Sequence, residues 1–482
     1  MANQAATSID FRQEAQVVAD WIARYLEESE KYPVLSKAKP GEIRNALPTH
    51  PPISAETLQS VMNDFEKIIL PGITHWNHPR FFAYFPITSA PPGILGEFLS
   101  AALNVNGMLW RSSPSATELE EVVVDWLRQM LALPKPLFGM ITDTASISTF
   151  YALAAAREAL NLGIREHGMS GRSDLPKLTV YASEQAHSSV EKGAIVLGLG
   201  QENFRKIAVD QDFRMRPDLL LQAIAADRAK GYRPTGVVAT IGTTSTTSVD
   251  PVFAIAEICE KEKLWLHVDA AYAGSAAILP EMRQSFAGVE KADSFTFNPH
   301  KWLATPVDCS ILYTRKPEIL KRAFSLVPEY LRTDEPESVH NFMDYGIQLG
   351  RRFRALKLWF VIRMFGKEGL KNAIRTQIDL AQEFARWIDQ DSNFERMAPV
   401  PFSTICFRLV KKGLANEAID KINEKLLNRV NESGKIFISH TKLNDRFILR
   451  LAIANYRTEH RHVQEAWELI KGEGTRLLAS SR

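Results

Sequence analysis

The chain has 482 residues, with 58 Lys and Arg against 56 Asp and Glu, for a net charge of +2. That balance excludes the basic field of a nucleic-acid binder and the acidic run of a solvating tail. With 45% hydrophobic and 24% charged residues, the composition is that of a globular protein of two or three domains.

The chain opens on MANQAATSIDFRQEAQ, which is polar and has no apolar signal-peptide core. Residues 8–30 carry Val17, Val18, Trp21, Ile22, Tyr25 and Leu26 at helical spacing. After a proline-rich stretch, 32–53, a second helix is expected over about 55–69, with Ser54 as its N-cap. These helices lack strands to pack on and are expected to bury their apolar stripe elsewhere, on another subunit for example. From about 90 to 365 short β-branched runs alternate with helical periods. LTVYAS (178–183), RKIAV (205–209), TGVVATIG (235–242), LWLHVDAAY (264–272), SFTF (294–297) and CSILYT (309–314) read as strands. Between them, 216–229 and 252–263 read as helices. Apolar strands separated by helices predict a mostly parallel sheet covered on both faces. Residues 366–482 combine a long helical stretch with strands TICFRLV and RFILRLAI, a smaller α+β unit. No apolar run reaches the ~18 residues of a membrane span. Cys259, Cys309 and Cys406 are too few and too scattered for a disulfide framework or a metal site. A reduced, cytoplasmic setting without membrane or nucleic-acid partners is expected.

The stretch SFTFNPHKWLATP (294–306) places Lys301 just past the end of a buried strand. Lys301 is either a snorkelling side chain or a Schiff-base lysine that bonds a carbonyl carbon. Upstream by 301 − 269 = 32 residues, the strand LWLHVDAAY ends in Asp269. Asp269 alone reads equally as a turn acid. A lysine and an aspartate ending strands of one parallel sheet would both face its ligand crevice. Pyridoxal phosphate satisfies both, the lysine at its aldehyde carbon and the aspartate at its ring nitrogen. TDTASISTFYALAAAR (142–157) starts an Ala-rich helix with small hydroxyl residues, either an ordinary cap or a phosphate site. Thr243 and Thr244 end TGVVATIG near the same crevice. His187 follows LTVYAS and is either structural or stacked on a pyridine ring.

With these residues in place, the chain resembles the pyridoxal-phosphate-dependent aromatic-L-amino-acid decarboxylases (group II decarboxylases, fold type I). The motifs are HWNHPRFFAYFP, ATELE, EQAHSSVEKG, ATIGTTSTTSVDP, WLHVDAAYAGSA, ADSFTFNPHKWL and QLGRRFRALK. They cover the chain from about 8 to 475. The resemblance implies an α/β fold with a seven-stranded-type, mostly parallel sheet. It implies a helical dimerisation region (1–85), a large cofactor-binding domain (86–365), a small C-terminal α+β domain (366–482) and a homodimer with active sites at its interface. It implies that Lys301 bonds the cofactor, Asp269 pairs with its ring nitrogen, Ala271 lies against the ring and His187 stacks on the other face. Ala145, Ser146, Asn298 and His300 would serve the phosphate, and Thr244 the cofactor pocket. Tyr330, in VPEYLRT, matches a mobile-loop tyrosine that returns a proton to the substrate's α-carbon; by itself it reads as a surface aromatic. Relatives with phenylalanine there look like aromatic acetaldehyde synthases.

Trp76, Tyr84, Phe85, Pro86 and Ile87 resemble an aromatic wall around the substrate, and Gly350 a position where a small residue leaves room, leaning towards an indole. Trp110 and Phe297 could add to that wall. Three departures from the family pattern stand out: Ile87 for a threonine, Asp143 for a glycine before TAS, and Arg111 for a smaller residue. The implied reaction releases CO2 from tryptophan, 5-hydroxytryptophan, DOPA, tyrosine or phenylalanine. The alternatives are a histidine, glutamate or aliphatic amino-acid decarboxylase, an aromatic acetaldehyde synthase, and a silent binding scaffold.

Overall fold

The computed structural model describes residues 10–327, 331 and 339–480; Tyr330 lies outside them. Short apolar runs build β1 (Phe138–Thr142), β2 (Leu178–Ser183), β3 (Phe204–Ile207), β4 (Arg233–Thr240), β5 (Trp265–Asp269), β6 (Ser294–Phe297) and β7 (Ser310–Thr314). They form one sheet in the order β1-β7-β6-β5-β4-β2-β3. Pairings from β3 across to β6 are parallel, whereas β7 runs antiparallel to both β6 and β1. Every residue of β2, β5 and β6 is buried, as a sheet covered on both faces requires. The helix Ala145–Glu158 packs on β4 to β7, and Pro217–Ala229 and Val252–Glu262 pack on β4. The fold is α/β.

A second sheet is wholly antiparallel: β8 (Phe394–Arg396), β9 (Thr404–Leu409), β10 (Ser439–Leu443) and β11 (Arg446–Ala452), in the order β10-β11-β9-β8. Its own core joins Phe384, Leu426, Leu449 and Val463. The helix Arg354–Gln390 belongs to both cores, the large one up to Ile374 and the small one from Leu380, and Gly366, with φ 65° and ψ 168°, kinks it within its large-core part. That left-handed φ costs glycine nothing and other residues about 1–2 kcal/mol. At the other end of the same helix, a Cβ on Gly96 would sit 2.6 Å from the Lys357 backbone. Glycine there lets Pro91–Leu103 and Arg354–Gln390 meet backbone to backbone.

Two expectations need correction. The second helix starts at Leu58, runs to Asp64 and continues as a π-helical segment to Ile69, near the expected end; its cap is Thr57, which accepts from the Ser60 N–H at 3.2 Å, and Ser54 lies outside it. Thr57 stands three residues before a free helix N–H, the distance a side-chain cap spans. β1 is an additional strand. Its five residues include Gly139, a poor strand former, and no alternation marks them.

Candidate active site

β4, β5 and β6 end side by side. Thr240 pairs with Asp269 and Asp269 with Thr296, so the Asp269 carboxyl stands at the C-terminal edge of the sheet. β6 stops one residue before Asn298. Pro299 then takes the first position of a single helical turn, Pro299–Trp302, where its fixed φ suits the helix and its missing N–H is no loss. That turn carries Lys301 back over the same edge. Its Nζ lies 5.2 Å from the Phe85 ring centre. Burial pulls its pKa down to about 8, the Asp269 charge opposing and Arg450 adding to the effect. At neutral pH a measurable share of this amine is therefore uncharged and nucleophilic.

Two histidines are held neutral beside it. His187 caps the helix Ser188–Val196, its Nδ1 accepting from the Ser189 N–H at 3.2 Å. Burial lowers its pKa. The ring proton of the neutral tautomer then sits on Nε2. Buried His300 accepts from the Cys309 N–H at 2.9 Å through Nδ1, and burial pushes its pKa down to about 3. Its Nε2–H is left as a donor. Ala145 and Ser146 open a 14-residue helix behind Thr144, and their N–H groups precede the first intrahelical bonds, made by Ile147 and Ser148 to the Thr144 carbonyl. The buried Asn298 Oδ1 has no protein partner. Its amide can turn to present either atom outward. Asp143 is engaged elsewhere: it accepts from the Thr144 N–H at 2.6 Å and from Gln348 at 3.3 Å. Ala271 donates its N–H to Asp269 at 3.0 Å and accepts from the Asn298 N–H at 3.0 Å, tying the two strand ends together.

This set fits pyridoxal phosphate. A helix N-terminus, a neutral histidine donor and an orphaned buried amide suit a dianionic phosphate. A buried carboxyl suits a protonated ring nitrogen, and a low-pKa lysine suits an aldehyde.

Trp76, Tyr84, Phe85, Ile87, His187, Thr244 and Lys301 line one cavity of about 370 Å³. Pro86 is buried and is not among its lining residues, and Arg111 is exposed away from it. Gly350 is exposed beside Asn106 and does not reach this cavity in a single chain. Tyr84 is exposed and adopts a left-handed φ of 53°. Phe85 stacks on Tyr272 at 3.9 Å, and Tyr272 on Trp302 at 4.5 Å. Trp302 in turn donates to Gln377 of the long helix. Trp302 is therefore the base of a three-ring column under the cavity.

The far wall escaped sequence reasoning. Ser245, Ser439, His440, Thr441 and Arg450 complete the lining. Arg450 is 3% exposed and its guanidinium lies 4.5 Å from the Phe85 ring centre. It donates to the Ser245 carbonyl at 3.0 Å and to the Tyr84 carbonyl. The available signal was an arginine inside the apolar strand FILRLA.

Comparison with known proteins points the same way. Tryptophan decarboxylase 2 of Oryza sativa subsp. japonica is 42% identical over 96% of this chain and 94% of its own length. A phenylacetaldehyde synthase of Arabidopsis thaliana is 42% identical over 98% and 97%. The crystal structure of the Oryza sativa TDC with PLP and tryptamine superposes with a TM-score of 0.93 at 38% identity, covering 97% of this chain and 98% of that one. Residues 40–410 match the pyridoxal-dependent decarboxylase conserved domain. The lysine, the aspartate and the phosphate-suited helix start all lie within that match, and the chain belongs to the pyridoxal-dependent decarboxylase family.

Proposed function

We propose that this protein releases CO2 from an aromatic L-amino acid to form the amine. One observation carries the choice of substrate class: the cavity beside Lys301 is walled by Trp76, Tyr84 and Phe85, and its cations, Lys301 and Arg450, both lie over the Phe85 ring. An acidic substrate such as glutamate would need a free cation for its side chain. The relatives act on compounds of the same class: a tryptophan decarboxylase and a phenylacetaldehyde synthase.

Bound pyridoxal phosphate supplies a conjugated ring that accepts the electron pair left when CO2 departs. Lys301 would bond its aldehyde carbon and give way to the substrate amine. Asp269 would keep a proton on the ring nitrogen, where a buried carboxylate acts with little water to screen it. Neutral His187 would lie against the ring without adding a competing positive charge. The N–H groups of Ala145 and Ser146, with Asn298 and the Nε2–H of His300, would hold the phosphate, while Thr244 and Ala271 border the ring. Tyr330 would return the proton to the substrate's α-carbon.

The domain division 1–85, 86–365 and 366–482 belongs to this proposal, with cytoplasmic location and a homodimer. Among the described residues, no helix is long and apolar enough to cross a membrane. In the proposed dimer the active sites lie at the subunit interface, and Gly350 would serve a cavity only from the other subunit.

Purified holoenzyme given a panel of amino acids should release CO2 and amine in step with tryptophan, tyrosine, DOPA or phenylalanine. Faster turnover of glutamate, histidine or an aliphatic substrate would reject the aromatic assignment. A phenylacetaldehyde synthase is among the relatives, and Tyr330 is the residue this proposal takes to separate the two outcomes. In air, where dioxygen takes two electrons and water releases the nitrogen, Tyr330→Phe should divert product from amine to aldehyde, ammonia and peroxide; a variant still yielding only amine would remove Tyr330 from the proton step.

A further inference from the structure

Asp143 is a departure from the family pattern that the proposed reaction leaves unused. It follows Thr142, the last residue of β1, and stands two residues before the helix Ala145–Glu158. Its carboxylate is pinned. Oδ1 accepts from the Thr144 N–H at 2.6 Å and from the Thr144 hydroxyl at 3.3 Å. Oδ2 accepts from Gln348 Nε2 at 3.3 Å. Gln348 is tethered in turn, because the neighbouring Ile347 N–H donates to the Tyr151 hydroxyl of the same helix at 3.0 Å. The charge is also unmatched. Among the described residues, no lysine or arginine forms a salt bridge with Asp143. Arg354 lies close enough to feel it, but both arms of its fork go to Asp308 at 3.0 Å. A phosphate on the Ala145 and Ser146 N–H groups would therefore meet this carboxylate across one residue, roughly 5–10 Å away by the ~3.8 Å spacing of consecutive residues. Like charges at that separation are only partly screened at physiological salt.

We propose that Asp143 weakens this chain's hold on pyridoxal phosphate: its carboxylate, pinned beside the helix start, opposes the cofactor's phosphate dianion. The loaded fraction of the protein then follows the concentration of free cofactor. The proposal rests on the phosphate site proposed above. A purely structural role predicts the opposite sign, because an acid ahead of a helix N-terminus stabilises the helix, and its loss would loosen the site.

The test titrates apo-protein with pyridoxal phosphate and, separately, with pyridoxal, which lacks the phosphate, and reads both affinities from protein fluorescence. Asp143→Asn removes the charge and keeps both contacts: its oxygen still accepts from the Thr144 N–H, and its amide donates to Gln348, whose own amide can turn to accept. Asp143→Gly, the residue of the family pattern, is the second variant. Both variants should bind pyridoxal phosphate at least about threefold more tightly than the unmodified chain, with pyridoxal affinity unchanged. The gain should shrink as KCl rises from about 50 mM to about 500 mM. Unchanged or weaker binding of pyridoxal phosphate in either variant, an equal gain for pyridoxal, or a gain indifferent to salt would each overturn the proposal. An unmodified chain that binds both compounds equally would count against the phosphate site itself, and the role of Asp143 would fall with it.

Discussion

Lys301 owes its chemistry to where the chain puts it. An unperturbed lysine amine titrates near ~10.4, whereas burial brings this one to about 8. The neutral amine is the form that attacks an aldehyde. Apo-protein should therefore take up pyridoxal phosphate at a rate rising about tenfold per pH unit below pH 8 and levelling above it. Stopped-flow absorbance from pH 6 to 10 measures this, and a rate still climbing steeply at pH 9.5 would contradict the depressed pKa. Arg450 acts differently. It touches no reacting atom in this account; it braces Tyr84, Ser245 and the Phe85 face. Arg450→Lys keeps the charge but loses the planar fork. It should cut kcat/KM by about tenfold to a hundredfold through misplacement of the wall, with cofactor affinity nearly unchanged. Equal loss of cofactor binding would make it a cofactor ligand instead. Lys301 and Asp269 were legible because both stand at strand ends in an apolar context. Arg450 was not, because only the tertiary fold brings β11 across from residues 84 and 85.

At the scale of elements, sequence reasoning worked best where burial is two-sided. β2, β4, β5 and β6 are near-continuous apolar runs, the pattern expected of strands in a parallel sheet covered on both faces. It failed where one glycine-bearing strand, β1, pairs antiparallel with β7, and where two hydroxyl residues competed to cap one helix. The column Phe85–Tyr272–Trp302 was invisible for another reason: its rings come from three segments and meet only after β5 and β6 are in register. Trp302→Ala should lower stability by about 3–5 kcal/mol, the usual range for truncating a buried aromatic. It should also raise KM, because Phe85 loses its footing. Urea unfolding followed by steady-state kinetics separates these effects; an unchanged KM would mean that Phe85 is held without the column.

The whole molecule leaves apolar surface uncovered. No residue of the 17-residue helix Phe11–Glu27 is buried. On Pro91–Leu103, Leu95, Phe98, Leu99 and Leu103 are 49%, 50%, 47% and 58% exposed, a stripe too apolar for water alone. In the proposed homodimer this stripe is covered. Sedimentation equilibrium should give twice the chain mass of 54.2 kDa, and Phe98→Lys should shift it towards the single chain and reduce turnover. A wild-type protein sedimenting as the single chain would contradict the dimer.

The same ring column constrains how this protein can change over generations. Phe85 shapes the cavity, yet it rests on Tyr272, which bonds Ser403 near the small sheet, and on Trp302, which bonds Gln377 of the kinked helix. A substitution that reshapes the cavity at Phe85 therefore disturbs stacked contacts deep in the large core and the hydrogen bonds that tie it to Ser403 and Gln377. New substrate preferences should arise through linked changes at positions 85, 272 and 302, or through the far wall at Ser439, His440 and Thr441, where each side chain has one or two partners, such as Ser245 for Thr441 and Phe447 for His440. Directed evolution towards a larger ring should accumulate its first mutations there.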